Sequence, residues 1–247
     1  MRKLYRIIFG IIILIFIWEI IVLLSGSIFL PSSFEIGKGF VKLLDNIYFY
    51  SDIGATLIRM FLGLIISILI GIPLGLFFGY YGRIYLLFEF IIDFLRSIPP
   101  PTLFPLFMLI FGIGNVSKIA PVVFMCTFFI LINTMYGVKN VKDIRLKTGK
   151  LFRLSKFSLV KNIIIPEALP YIAAGLRISI SLSLILSIVF EMFVGTKYGI
   201  GQRIINFQLL YDIPEMYAMI IVAGLFGYIV NNVFVYYEKK TIHWSGK

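Results

Sequence analysis

The chain has 247 residues, of which 60% are hydrophobic and only 14% are charged. A soluble domain is nearer half apolar and a quarter charged, so this composition excludes a disordered protein, a disulfide scaffold and a typical cytosolic enzyme. A single cysteine, Cys126, cannot form an intrachain disulfide, and with a single histidine, His243, it cannot make the usual metal site. We therefore expect an all-α integral membrane protein that holds no metal and no cofactor.

Six apolar stretches are each long enough to cross a bilayer, which takes about 20 residues of helix. In chain order, the predicted spans are 7–24, 57–78, 84–111, 119–138, 176–194 and 216–237. The first follows the basic start MRKLYR and superficially resembles a signal peptide. No small-residue cleavage site follows it, so we expect it to be retained as a helix. The whole range 1–247 is predicted to be one transmembrane domain.

The distribution of lysine and arginine predicts the orientation of these spans. Six crossings place both termini on the same side as the segment 139–170, and this side collects most of the basic residues. Basic loops remain in the cytoplasm, so both termini and this segment are predicted to be cytoplasmic. The formal net charge of +11 is then explained by topology and by attraction to the lipid surface, and we expect no nucleic acid as a partner.

Two of the predicted spans carry stripes of small residues. In the second span a small residue recurs at every fourth position: Gly63, Ser67, Gly71, Gly75 and Gly79. Such a stripe lets two helix backbones approach closely, so we expect tight packing against a neighbouring helix. In the fifth span a similar stripe leads to a carboxylate: Gly175, Ser179, Ser183, Ser187 and Glu191. For this second stripe, helix packing and a polar pathway remain open alternatives.

The third predicted span combines ionisable groups with prolines. Three ionisable residues lie within one stripe of the helix: Glu89, Asp93 and Arg96. Asp93 and Arg96 are three residues apart and can pair, either as a functional group or as a neutralised structural pair. Pro99, Pro100 and Pro101 follow, and they force the span to break because they remove backbone donors. Broken backbone at membrane depth favours transport over anchoring.

The basic segment 139–170 contains the sequence RLSKFSLVKNIIIPEALPYI. In it Leu154, Phe157 and Val160 or Lys161 recur at helical spacing, which predicts a short amphipathic helix. This helix either lies on the membrane surface or docks into a cytoplasmic partner. The sequence has no Ser/His/Asp set, no HExxH and no phosphate-binding loop, so we expect no catalytic residues. If ATP drives this protein, another polypeptide binds it.

Three stretches carry a resemblance to a known family: TLIRMFLGLIISILIGIPLGLFFGY at 56–80, RSIPPPTLFPLFMLIFGIG at 96–114 and PEALPYIAAGLRISISLSLILSIVFEMFVGTKYGIG at 166–201. They resemble the TLxR…G…G…LG, R-x-IPP…P…FG and P-x-ALP…GLR…E…GLG motifs of a membrane permease. The family is that of binding-protein-dependent ABC importers, in particular the nitrate/sulfonate/taurine class. The resemblance covers about 52–237, nearly everything after the first span.

The resemblance implies a type I importer fold in the inner (plasma) membrane of a prokaryote. Two permease copies, as a homodimer, would form the path, with two cytoplasmic ATP-binding subunits and an extracytoplasmic solute-binding protein. It also implies a coupling helix at about 150–163 whose ATPase contacts are Leu154, Ser155, Phe157, Val160 and Lys161. The family usually has glycine where this chain has Arg153 and an acidic residue where it has Lys147, so the chain departs from the family pattern at two positions of this region.

The implied mechanism is alternating access, in which ATP brings the ATPases together and the coupling helices move the spans. The predicted path residues are Arg96, Pro99, Pro100, Pro101, Ser183, Ser187 and Glu191. The alternative is a stand-alone ion-coupled secondary transporter or channel that uses Glu191 or Asp93. The substrate stays open among nitrate, sulfonates, taurine and vitamin precursors.

Overall fold

The structure is a computed structural model that describes residues 2–193 and 195–242; Val194, which ends the fifth predicted span, and His243 lie outside the described residues. The described chain forms eleven α-helices: α1 (Arg2–Ser25), α2 (Ser33–Leu44), α3 (Ile47–Tyr80), α4 (Gly82–Ser97), α5 (Phe104–Phe111), α6 (Val116–Lys139), α7 (Asp143–Leu151), α8 (Lys156–Leu159), α9 (Ile165–Phe193), α10 (Ile200–Leu210) and α11 (Ile213–Thr241). A 3-10 turn precedes α5, and a π-helical segment, Val160–Ile164, joins α8 to α9. The described residues, 2–193 and 195–242, contain no strand, and the all-α prediction is confirmed.

Five helical stretches of the described chain are long and apolar enough to cross a membrane: α1, α3, α6, the run Lys156–Phe193 and α11. A sixth crossing results if α4 and the run Pro100–Phe111, which meet at 91°, count as one bent span. The bend lies at the three consecutive prolines, because they leave the backbone without the donors that a continuous helix needs. The third predicted span, 84–111, is therefore two helices with a sharp corner.

α6 is the central helix of the subunit, and α3 and α9 pack along it. A Cβ atom added at Gly63, Gly71, Gly75 or Gly79 of α3 would come within 2.5–2.9 Å of α6 atoms. The tight packing predicted from the small-residue stripe of the second span is therefore confirmed, and its partner is α6. On the other side, a Cβ added at Gly175 of α9 would lie 2.8 Å from the Cβ of Asn133 on α6.

α3 begins at Ile47, well before residue 57, where the second span was predicted to start. Asn46 begins the helix by accepting a hydrogen bond from the Tyr48 N–H at 3.0 Å. The additional turns contain Asp52, which lowers the hydropathy of the sequence but is neutralised in the structure by Arg203 at 2.6 Å. The predicted span began too late because Asp52 is charged. In the structure this charge is paired with Arg203, 151 residues away in the sequence.

The sequence pattern did not predict α2 or α10, two short helices that pack against α11. α2 begins with a capping box between Ser32 and Glu35. Near its end Lys42 donates to Glu215 of α11 at 2.6 Å, and this bond to the carboxylate raises the pKa of Lys42. A Cβ added at Gly39 would lie 2.8 Å from the backbone of Pro214, so α2 is held close to α11 along its length.

Residues 142–161 form a compact connection between α6 and α9, which we call the elbow. α7 ends in a Schellman motif, in which the Leu154 N–H bonds the Gly149 carbonyl at 3.1 Å and the Arg153 N–H bonds the Lys150 carbonyl at 2.9 Å. Ser155 then begins α8 by accepting from the Ser158 N–H at 3.2 Å. The single amphipathic helix expected at about 150–163 is not formed, because the chain turns at residues 152–155.

Candidate functional site

Glu191, at the end of α9, is fully buried and hydrogen-bonded through both carboxylate oxygens. Arg59 Nη1 of α3 donates to Oε1 at 2.5 Å, and the Gly201 N–H donates to Oε2 at 3.0 Å. Thr56 Oγ1 lies 2.8 Å from Oε2 and also accepts from the Ile200 N–H at 2.9 Å. The buried charge is therefore paired and its lone pairs are used, which is the condition for a buried ion pair to be tolerated.

The guanidinium of Arg59 bonds four residues, which lie in three other parts of the chain. Besides Glu191, it donates through Nε to Asn115 Oδ1 at 3.0 Å, just before α6. It also donates through Nη1 to the Tyr198 carbonyl at 2.9 Å and through Nη2 to Thr196 Oγ1 at 3.3 Å. One arginine thus connects α3, α9, the start of α6 and the loop that leads into α10.

A second buried carboxylate supports the same loop. Asp52 accepts from the Gly199 N–H at 2.9 Å and from Arg203 Nε at 2.6 Å. Gly199 has a φ of +151°, and a Cβ added there would lie 2.6 Å from the Glu191 carboxylate. Only glycine fits at this position, because any side chain would displace the Arg59–Glu191 pair. We call Asp52, Thr56, Arg59, Glu191 and Arg203 the buried polar cluster.

The structure places the predicted path residues in two different environments. Ser183, Ser187 and Glu191 are fully buried inside the subunit. Ser183 Oγ donates to the Ile180 carbonyl of its own helix at 2.8 Å, and Glu191 belongs to the buried polar cluster. The serine stripe therefore packs inside the subunit in this conformation, which corresponds to the helix-packing alternative of the sequence analysis.

Arg96 and the prolines lie nearer the surface. The predicted ion pair is confirmed, since Arg96 Nε lies 2.9 Å from Asp93 Oδ1, with side chains 46% and 48% exposed. Pro99 and Pro101 are exposed and Pro100 is half-buried at the corner between α4 and α5. These residues, unlike the serine stripe, are accessible from outside the subunit.

The predicted ATPase contacts divide into outward and inward residues. Phe157 is 76% exposed, and Lys161 is exposed as well. Val160 packs inward on the apolar cluster around Leu159 and Ile164, and Ser155 serves as the cap of α8. Leu154 covers Gly149, where an added Cβ would lie 3.6 Å from its Cδ1. Phe157 and Lys161 are therefore available to a partner, and Val160 shapes the elbow. Leu154 and Ser155 shape the elbow as well, but both are also exposed.

An ion pair between Arg145 of α7 and Glu167 ties the elbow to the first turn of α9. Glu167 also accepts a long bond of 3.4 Å from the Lys142 N–H. The elbow is therefore attached to one end of α9, and the buried polar cluster is attached to the other end. In the described ranges no group of three or more His, Cys, Asp or Glu side chains is placed to hold a metal ion.

The fold and these two attachment points define a multi-spanning membrane subunit in which polar contacts hold α9 at both ends. A family model for the inner membrane component of binding-protein-dependent transport systems matches residues 71–243. The chain therefore belongs to this family. The sequence-based recognition of an ABC importer permease of the nitrate/sulfonate/taurine class is confirmed.

Known proteins resemble the chain over most of its length. The formylaminopyrimidine transport permease ThiX of Halalkalibacterium halodurans is 30% identical, with 87% of this chain and 85% of ThiX covered. The nitrate import permease NrtB of Synechocystis is 28% identical, with 93% and 86% covered. An inward-facing structure of the MetNI methionine ABC transporter has the same fold, with a TM-score of 0.70 at 19% identity, and covers 78% of this chain and 95% of its own.

Sequence reasoning missed the buried polar cluster as a unit. The quoted motifs already contained Thr56, Arg59, Glu191 and the glycines of 199–201. The signal that was available is that buried charges must be paired, so a lone arginine in one span requires a carboxylate in another. The sequence alone does not say which carboxylate, since Glu191 is 132 residues away from Arg59.

Proposed function

We propose that the chain is the permease subunit of an ATP-driven importer of a small solute, in which two copies form the path by alternating access. Two cytoplasmic ATP-binding subunits supply the energy, and an extracytoplasmic solute-binding protein delivers the solute. The observation that carries this proposal is the family match over residues 71–243, which includes the C-terminal part of α3 and all of α4 to α11.

The elbow is the surface that receives the ATPase. Phe157 and Phe152 are exposed, and basic residues flank them in the sequence. The ion pair between Arg145 and Glu167 connects this surface with α9. An apolar anchor with a polar surround is what a specific docking surface requires. The distribution of basic residues supports a cytoplasmic position for the elbow and for both termini.

α9 passes the movement of the elbow to the opposite end of the subunit. The helix has 29 residues, which corresponds to about 44 Å. At its far end Glu191 joins it to α3 and to the loop before α10. Movement of α9 therefore moves this loop as well, and alternating access follows from two arrangements of the same rigid helices.

The relatives support a small polar solute as cargo. NrtB is named for nitrate and ThiX for formylaminopyrimidine. Arg96, Pro99 and Pro101 are the path candidates that the subunit leaves accessible, whereas Ser183, Ser187 and Glu191 act from within the helix packing. The carboxylates that a stand-alone ion-coupled transporter would use, Asp93 and Glu191, are each paired with an arginine.

The test uses the tagged full-length chain, purified from native membranes with its associated subunits. We expect the complex to hydrolyse ATP, and Phe157→Asp to reduce the co-purifying ATPase activity about tenfold, because it puts a charge into an apolar socket. Phe157→Leu is the matched control and should retain the activity. Uptake of nitrate or formylaminopyrimidine by proteoliposomes that contain this chain alone, driven by a proton gradient, would overturn the proposal.

A further inference from the structure

Arg153 occupies a backbone position that suits glycine. It is the residue after the cap of α7, in the Schellman position, and its φ is +53°. A side chain is unfavourable in this left-handed region, and glycine is the usual solution. The Arg153 side chain is exposed, and in the described parts of the chain it forms no ion pair. The Schellman hydrogen bonds stabilise this turn, but no ion pair in the described ranges gives the arginine side chain itself a role there.

The rest of the elbow shows the same excess of unpaired positive charge. Seven basic residues and one acidic residue lie between 142 and 161. In the ranges that the structure describes, only Arg145 of these seven forms an ion pair, with Glu167. The exposed cations Lys147, Lys150 and Lys156 flank in the sequence the large exposed side chains of Leu151, Phe152 and Phe157.

The geometry favours a protein partner over a lipid surface. A membrane-surface helix lays a continuous apolar face into the bilayer boundary. The exposed apolar side chains of the elbow do not lie on one helix: Ile144 and Leu151 are on α7, which has nine residues, and Phe157 is on α8, which has four. Phe152 and Leu154 lie in the turn between the two helices. The Schellman motif also holds Arg153 at one fixed place. A fixed charge is useful opposite a fixed carboxylate, whereas lipid headgroups rearrange around any cation.

We propose that the elbow docks into an apolar socket with an acidic rim, and that Arg153 and Lys147 pair with carboxylates on that rim. This proposal rests on the proposed function, since the socket belongs to the ATP-binding subunit. Complementary charge sets the choice of partner and the salt dependence of the association more than its maximal strength. The chain therefore selects an ATPase with an acidic docking site and rejects one with a basic site.

The experiment measures the amount of ATPase subunit retained by the tagged full-length chain as sodium chloride is raised. We expect wild-type retention to fall steeply with salt, and Arg153→Glu and Lys147→Glu each to weaken retention about tenfold at low salt. Arg153→Gly should leave thermal stability unchanged or higher and still weaken retention, which a merely structural arginine would not do. Lys240→Glu, at the end of α11, is the matched charge control and should bind like the wild type.

The outcomes separate this proposal from the function on which it rests. If Phe157→Asp abolishes retention while the charge variants and salt have no effect, the acidic rim is wrong and the docking role stands. If Phe157→Asp has no effect either, the placement of the docking surface is wrong as well. The same proteins are also placed in nanodiscs with and without phosphatidylglycerol. One result would overturn the proposal: phosphatidylglycerol raises the thermal stability of the wild type but not of the Arg153→Glu and Lys147→Glu variants, and these variants retain as much ATPase subunit as the wild type. The elbow would then lie on the membrane surface.

Discussion

The pair of Arg59 and Glu191 shows how single residues hold this subunit together. Both side chains are buried, with 7% and 0% of their surface exposed, and each forms several further hydrogen bonds. Removing one member of a buried pair typically destabilises a protein by about 3–5 kcal/mol, because the remaining charge is left without a partner. Removing both charges together is much less harmful, since no orphan charge remains.

This contrast predicts the behaviour of two variants. Glu191→Gln should lower thermal stability strongly, by about 3 kcal/mol, because Arg59 stays charged and buried. The double variant with Arg59→Gln and Glu191→Gln should recover part of this loss. Thermal unfolding of the purified protein in detergent measures the stability, and solute uptake is measured in parallel.

The uptake measurement distinguishes the two roles that the sequence left open for Glu191. A double variant that regains stability and uptake together identifies the carboxylate as structural. If stability returns and uptake does not, Glu191 takes part in the transport cycle itself. A single variant as stable as the wild type would contradict the pairing seen in the structure.

At the scale of the elements, the contact between α3 and α6 depends on the absence of side chains. A Cβ added at Gly75 would lie 2.5 Å from the Cβ of Thr134 and 2.6 Å from the Leu131 carbonyl oxygen. The nearest α6 atom is a branch point and the other is backbone, so neither can rotate away. The two helices would have to separate.

We therefore expect Gly75→Val to destabilise the subunit by about 1–3 kcal/mol, the usual range for an overpacked core. Gly54→Ala is the control on the same helix, because no atom lies within 4 Å of an added Cβ there. That control should be neutral or slightly stabilising, since alanine favours helix more than glycine does. Unfolding temperatures of the two purified variants test this difference, and equal temperatures would contradict the close approach of α3 and α6.

The elements that the sequence predicted well are those defined by long apolar runs and by period-four stripes. α2 and α10 were missed because each is too short to span and carries polar residues that face other elements. The start of α3 was missed because Asp52 reads as a break, although Arg203, 151 residues away, neutralises it. The pattern of the elbow predicted one amphipathic helix at about 150–163, because spacing alone does not reveal that the chain turns at Arg153.

On the scale of the whole molecule, the subunit has two ends with different chemistry. One end carries the elbow, in which only Arg145 among the cations forms an ion pair in the described ranges. The other end carries α2, α10 and the loop bonded to the buried polar cluster. α9 connects them. In the proposed function the elbow end meets the ATPase on one side of the membrane, and the opposite end meets the solute-binding protein on the other.

This arrangement makes the topology directly testable by cysteine labelling. The natural Cys126 is buried, so the background reaction should be low. We expect Lys38→Cys in α2 to react with an impermeant maleimide added to intact spheroplasts, because the orientation predicted from the basic residues places α2 outside. Thr148→Cys in the elbow should react only after the membrane is opened, since excess lysine and arginine keep this segment in the cytoplasm. Labelling of Thr148→Cys from outside would place the elbow on the wrong side for an ATPase, and both the orientation and the docking proposal would then fail.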